Sequence, residues 1–362
     1  MQSLPPLSAQ GRARPVVVEI LSRRDAQSDL TPARDLKAGL EKDFDVRLCE
    51  LDRDEVADTP AGLVCEETPP DKVLRGEMRL ASTLRTLRPE IVHTYRFADL
   101  LAIGRIARTD TFTAKVVHTL GSEPEARIMA DERAIRTILG GLEPVLVAGG
   151  EVGPTCLEAV AIPQGIDSTH YCPGDPARAR RKLGLPVDAQ IIGCAGPASG
   201  IEPLLQAIFR LQPNVHIAVF GAAAPVSHHR PRIRRLNLEE RVHILGPWAD
   251  PVLIYQAIDA YFHGASSDAC PRAVLAAQAA GKPVVALLPA RPETLCPEVC
   301  HLLPPQFGPG ITAALRNVLA RGPGTTSRDF VARNWGIARM IDGYADLFFR
   351  LLGADTRLTA IS

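Results

Sequence analysis

The residues best suited to chemistry lie in one stretch, Asp259 to Ala286, DAYFHGASSDACPRAVLAAQAAGKPVVA. Asp268 is a carboxylate in a loop of small polar residues, and Arg272 is a cation shortly after it. Pro271 stands where a helix would start, because the first turn does not need the N–H that proline lacks. The backbone N–H groups that follow are free in that turn and favour an anion. A carboxylate accepts hydrogen bonds from hydroxyls, and a guanidinium pairs with phosphate. The strand, loop and helix N-terminus together suit an anionic ligand. Arg272 can equally be a solvent-facing arginine whose stem covers apolar surface.

The elements that must hold these groups are short. Ala260 to Phe262 reads as the end of a buried strand, and His263 to Cys270 as the loop. Arg272 to Ala280 is an Ala-rich helix, which Gly281 ends in a left-handed conformation. Pro283 to Ala286 opens the next strand. Upstream, Val16 to Leu21 is apolar apart from Glu19 and reads as a first buried parallel strand. Helix and strand signals then alternate: 34–42, 44–51, 74–87, 91–93, 97–106 and 115–120. Residues 52–72 read as a loop with room for one turn of helix, and 321–327 as a loop. Such alternation predicts doubly wound parallel sheets. His93 and His118 fall inside strands and read as core residues. Arg23 and Arg24 lie in a Gly-free loop, SRRDAQSD, where they can meet an anion or face solvent.

The 362 residues, 46% of them hydrophobic, predict two domains, each with its own core. Zero formal net charge argues against a general nucleic-acid binder. Eight Cys without a repeated spacing do not describe a disulfide framework. Cys296 and Cys300 lack a second pair at zinc-site spacing, so free thiols in a reducing cytoplasm are expected, with no metal and no cofactor. No apolar run reaches the length of a membrane span. The N-terminus lacks an apolar signal core, so residues 1–14 are expected to be a disordered lead-in and the protein to be cytoplasmic.

The frame of the 259–286 stretch resembles the donor-site segment of the retaining, nucleotide-sugar-dependent glycosyltransferases of family four (group 1). Pro271, Leu275, Ala277, Gly281, Pro283, Val284, Val285 and Ala286 match its pattern. IPQGIDSTHYCP (162–173) resembles the family's interdomain hinge. GCAGPASGIEPLLQAI (193–208) resembles its diphosphate-binding segment, matching at Gly193, Gly200, Leu204, Leu205 and Ala207. ERVHILGPW (240–248) resembles the segment whose backbone reads the nucleotide base. RPEIVHTY (88–95) and AKVVHTLGSE (114–123) resemble N-terminal segments less specifically. Residues near Trp335 and beyond resemble the last helix, which crosses back to the first domain.

The resemblance implies a GT-B fold, two Rossmann-like domains facing across a cleft. The expected domains are 1–162 on the acceptor side, 163–335 on the nucleotide-sugar side, and a returning helix and tail over 336–362. It implies transfer of a sugar from a nucleotide-sugar to a glycan, lipid or small-molecule acceptor, with peripheral membrane contact through arginines of the first domain. By resemblance, Asp268 stands at the family's first glutamate. Gly193, Cys194, Ser199, Gly200, His243, Gly246, Arg272 and Ala276 stand at the donor site, and Arg23, Arg24 and Gly121 on the acceptor side. Besides Asp268 for glutamate and the Gly-free loop 22–29, four positions depart from the pattern. Cys194 and Ser199 replace the Arg and Lys that hold the diphosphate, Ala276 replaces the second glutamate, and a histidine is missing near Gly121. A GT-B homologue that has lost transfer and serves as a binding or scaffold module is the alternative.

Overall fold

A computed structural model of the chain describes residues 14–22, 31–51, 70–109, 112–120, 129, 131–149, 155–195, 200–220, 229–245, 250–264, 272–288, 290, 292–304 and 308–353. It forms two compact units. One comprises Met1–Pro163 with Ala338–Ser362, the other Gln164–Ile337.

The first unit runs β1 (Val16–Ser22), α1 (Thr31–Leu40), β2 (Asp45–Leu51), α2 (Pro70–Leu87), β3 (Ile91–Thr94), α3 (Phe97–Thr109), β4 (Lys115–Thr119), α4 (Glu132–Leu139), β5 (Val145–Ala148) and β6 (Ala159–Ala161). The strands form one parallel sheet in the order β2-β1-β3-β4-β5-β6. Val17, Val18, Glu19 and Ile20 are all buried, as expected of a strand covered on both faces. The order reverses direction between β1 and β3, which makes that pair the switch point of the sheet.

The second unit runs α5 (Pro176–Leu183), β7 (Gln190–Ala195), α6 (Ile201–Ile208), β8 (Val215–Phe220), α7 (Arg230–Arg235), β9 (Val242–Ile244), α8 (Pro251–Ala257), β10 (Ala260–His263), α9 (Arg272–Ala279), β11 (Val284–Leu287), β12 (His301–Leu303), α10 (Gly308–Arg321) and α11 (Thr325–Asn334). Its separate parallel sheet has the order β12-β11-β10-β7-β8-β9. The chain winds outward from β7 to β9, then restarts at β10 on the other side of β7. The switch point is therefore β7/β10. The segments by which the chain enters and leaves this unit are bonded to each other. Ile166 N–H donates to the Trp335 carbonyl at 2.9 Å, and Ile337 N–H to the Ile166 carbonyl at 3.2 Å.

The final helix, α12 (Ile337–Leu351), belongs to the first unit from Ala338 onward. Met340, Tyr344, Leu347 and Phe348 share its buried face at helical spacing. Phe44 meets Phe348 edge-on at 5.7 Å, and Gly39 lies so close to Ile341 that a Cβ there would collide. No helix among the described residues is long and apolar enough to cross a membrane.

Two local expectations need correction. Helix α11 begins at Thr325, inside the stretch read as a loop, because Ser327 and Val331 are buried there. Helix α2 likewise starts at Pro70, within the stretch 52–72. Helix α4, which the sequence pattern does not announce, buries Ile135 and Leu139, one helical turn apart.

Candidate functional site at the second switch point

Ligands of parallel α/β sheets bind beyond the carboxyl ends of the strands, at the switch point. In the second unit those ends are Ala195 of β7 and His263 of β10. Two glycines set the local geometry. Gly200 precedes the first residue of α6, and Gly264 follows β10 directly. A Cβ on Gly264 would collide with the Gly200 carbonyl oxygen, so the two loop backbones touch where a side chain cannot fit. Helices α6 and α9 begin beside these loops, and their first turns carry the positive ends of helix dipoles.

Gly200 lies at this edge as expected. Ala276 is buried among the apolar residues of α9 and beneath the sheet, which is the packing role its type suggests. Arg272, however, does not face solvent. It is buried, its Nη1 lies 3.5 Å from the Gly165 carbonyl, and its guanidinium sits 5.8 Å from the centre of the Tyr171 ring. The cation in the first turn of α9 thus leans on the segment where the chain enters the unit.

Gly193 and Cys194 require correction as donor contacts. Strand β7 continues through both. A Cβ on Gly193 would come within 2.6 Å of Ile258 Cδ1, so this glycine admits a neighbouring side chain. The Cys194 thiol points into the apolar cluster of Ile201, Leu204 and Ile217, and burial pushes it up to about 12. His243 lies in β9, with Nε2 3.0 Å from His216 Nδ1. The rings are within 13° of parallel and 5.2 Å apart, an end-to-end contact that fixes both imidazoles on the sheet face. Burial lowers both pKa values, and at His216 the His243 and Arg241 charges add to it. Asp268, Ser199, Gly246, Gly121, Arg23 and Arg24 lie outside the described residues.

The amino edge of the same sheet holds a closed polar cluster. Arg180 donates to the Ala257 and Val187 carbonyls at 2.8 Å and to Asp259 Oδ2 at 2.7 Å. The other donor to Asp259 Oδ2 is Ile191 N–H, also at 2.7 Å. Lys282 is buried nearby with Nζ 3.4 Å from the Gln256 carbonyl, and burial pushes its pKa down to about 8.

The first sheet carries a polar seam beneath α12. His93 Nδ1 lies 2.9 Å from Glu19 Oε2, a close approach without the alignment of a hydrogen bond. His93 Nε2 is 2.8 Å from Thr119 Oγ1, which is 2.6 Å from the Tyr344 hydroxyl. With Nδ1–H facing the carboxylate, Thr119 donates to Nε2 and Tyr344 donates to Thr119. Burial and the Glu19 carboxylate push the Tyr95 phenol well above its ordinary range. His118 lies on the opposite face, 2.7 Å from Thr94 Oγ1. Both strand histidines are core residues, as their positions predict. Among the described residues, no group of three or more His, Cys, Asp or Glu is placed to hold a metal ion.

The sequence pattern did not single out Glu19 or His263. A carboxylate interrupting an apolar strand was the available signal for the first. A histidine followed by glycine at a strand end was the signal for the second.

Residues 189–320 match a family model described as "Glycosyl transferases group 1". The chain is 30% identical to a D-inositol 3-phosphate glycosyltransferase of Stackebrandtia nassauensis over 179 residues, 45% of this chain and 40% of that protein. It is 26% identical to that of Actinosynnema mirum over 317 residues, 75% of this chain and 72% of that one. For three such relatives the match spans 40%, 55% and 64% of their own length. Among solved structures, a sucrose-phosphate synthase from Thermosynechococcus elongatus superposes with a TM-score of 0.71 at 18% identity, covering 94% of this chain and 100% of the other. Anabaena Alr3699/HepE in complex with UDP-glucose gives 0.64 at 16% identity, covering 92% and 99%. At such identities the likeness is one of fold.

Proposed function

We propose that this chain, which has the GT-B fold, is a group 1 glycosyltransferase and transfers a sugar from a nucleotide-sugar donor to a glycan, lipid or small-molecule acceptor. The observation that carries the reading is the contact of Gly264 with Gly200 at the β7/β10 switch point. Bare backbone at that place can approach a diphosphate closely, and the first turns of α6 and α9 supply partial positive charge. As the bond from sugar to phosphate breaks, negative charge grows on the leaving diphosphate, and fixed dipoles there lower the barrier. Asp268 stands at the position from which a carboxylate accepts sugar hydroxyls. No cation stands at 194 or 199, and Arg272 is turned toward Gly165, so helix dipoles carry more of the diphosphate load than charged side chains do. The same reading puts the protein in the cytoplasm, with membrane contact only at the periphery.

The test is titration of the full chain with UDP-glucose, ADP-glucose, GDP-mannose and the matching diphosphates, followed by assay of donor hydrolysis. UDP and UDP-glucose come first because a similarly folded protein was solved with each. Saturable binding of one nucleotide class with slow donor turnover is the expected result. No binding across the panel would overturn the reading. Binding without any turnover, toward water or acceptor, would leave the binding-module alternative.

A further inference from the structure

His263 ends β10, and nothing described so far uses it. The side chain is 9% exposed, and its Nδ1 is wholly buried without a hydrogen bond. Its ring neighbour is Tyr261, at 6.2 Å between centroids, which places the imidazole on the sheet face that packs against α9. The residue after it, Gly264, is the one pressed against Gly200. His263 therefore stands at the carboxyl edge of the switch point, at the end of the strand that leads to α9. Burial pushes its pKa down to about 4, so the ring is neutral at pH 7. A buried ring nitrogen without a partner destabilises a fold unless something else supplies one. His93, buried in a strand of the other sheet, has a polar atom close to each ring nitrogen, Glu19 Oε2 at Nδ1 and Thr119 Oγ1 at Nε2.

We propose that His263 is a donor-selecting residue whose imidazole hydrogen-bonds a hydroxyl of the transferred sugar. This rests on the glycosyltransferase reading and names one contact within it. A neutral imidazole offers one donor and one acceptor, which matches a hydroxyl. It lacks the charge that would favour phosphate, so it distinguishes a nucleotide-sugar from its bare diphosphate. A site built to bond a hydroxyl also rejects an analogue that lacks it, because the ring nitrogen is then left unpaired.

Two variants test this, His263→Leu and His263→Asn, each with two readouts. The first readout is melting of the free protein. Leu removes an unsatisfied buried polar group and should raise Tm by about 2 °C. A clear fall in Tm for Leu would mean that the ring is structural and would overturn the proposal. The second readout is calorimetric affinity for the panel above. Leu should weaken the bound nucleotide-sugar about fivefold and leave its diphosphate unchanged, while Asn, whose amide reaches the Nδ1 position, should restore part of the loss. Equal weakening of sugar-bearing and bare nucleotides, or none of either, would also overturn it. If the wild type binds no nucleotide at all, the glycosyltransferase reading is what fails, and the contact to a transferred sugar falls with it. The direction of the Tm change then shows separately whether the ring is held for packing.

Discussion

Glu19 and His93 are both fully buried in the middle of the first sheet, yet each has a polar neighbour within 3 Å, and the chain of contacts ends on the last helix. His263 is almost as buried in the second sheet and has none at Nδ1. The two histidines occupy equivalent kinds of place, a short central strand of a parallel sheet. What differs is whether the protein sets a polar atom beside each ring nitrogen. Where it does, the contacts run on through Thr119 to Tyr344 and tie the last helix to the sheet. Where it does not, the group waits for something outside the chain. The carboxylate–imidazole–hydroxyl order of the first seam has the arrangement used to activate nucleophiles. Thr119 Oγ1 is already occupied by Tyr344, however, so here that order holds a helix in place.

The strongest way to break this contrast is His93→Leu. Glu19 would keep its carboxylate in the sheet interior without the imidazole, and leaving one member of a buried pair alone costs about 3–5 kcal/mol. Urea unfolding should show a loss of that size. The double variant Glu19→Leu with His93→Leu should recover most of it, because apolar replacement of a whole buried pair is often neutral. A single variant as stable as the wild type would mean that the seam carries no charge.

The second prediction concerns pH and His263. Its folded pKa of about 4 lies below the ordinary 6.5, so the unfolded chain binds the proton more tightly. Stability from keeping the ring neutral is complete above about pH 6.5 and is lost as pH falls toward 4. The gap corresponds to roughly 3 kcal/mol. His263→Leu should therefore flatten the acid limb of the stability profile, and denaturation midpoints measured from pH 7 to 4 would show it. An unchanged slope would place the acid sensitivity elsewhere, with the His216–His243 pair the next candidate.

Much of this was legible in the sequence, and the failures have a common cause. Unbroken apolar runs such as VVV, HIAVF and AYF announce parallel strands. Gly281 was read as left-handed and has φ of 78°. Resemblance singles out the 193–208 segment as the expected donor site but does not say which way its side chains point. Strand β7 extends to Ala195, and that extension alone turns Cys194 into the core, since side chains alternate between faces. An arginine at 194 would bury a guanidinium among Ile201, Leu204 and Ile217, so restoring the family residue there would destabilise the fold. His263 was assigned to the loop for the same reason, because the strand runs one residue further than its apolar pattern. Arg272 is a charged residue buried by contacts far along the chain, at Gly165 and Tyr171, which local pattern does not encode.

The amino edge of the second sheet supplies an internal control. Arg180 and Asp259 are a paired polar cluster in the same unit as the unpaired His263. If pairing marks structural groups, Arg180→Met should destabilise by about 2 kcal/mol through lost charge-assisted hydrogen bonds, without altering nucleotide affinity. A change in affinity at unchanged stability would reverse the two assignments.

The smallest effect is the most specific. Tyr344→Phe removes one hydroxyl and leaves the ring against His93, whose centroid is 5.1 Å away. Thr119 loses the donor at 2.6 Å but keeps its own bond to His93. The expected loss is that of one buried neutral hydrogen bond, about 1 kcal/mol. It should fall on α12 before the rest of the unit, because the hydroxyl is the end of the seam that reaches this helix. Amide exchange along 338–351 should accelerate about fivefold while β1 and β3 keep their protection. Equal acceleration in the helix and the strands would mean that α12 opens only with the whole unit. No acceleration would mean that Phe44, Phe348 and the Gly39–Ile341 contact hold the helix by packing alone, and that the polar seam sets its register without adding to its hold.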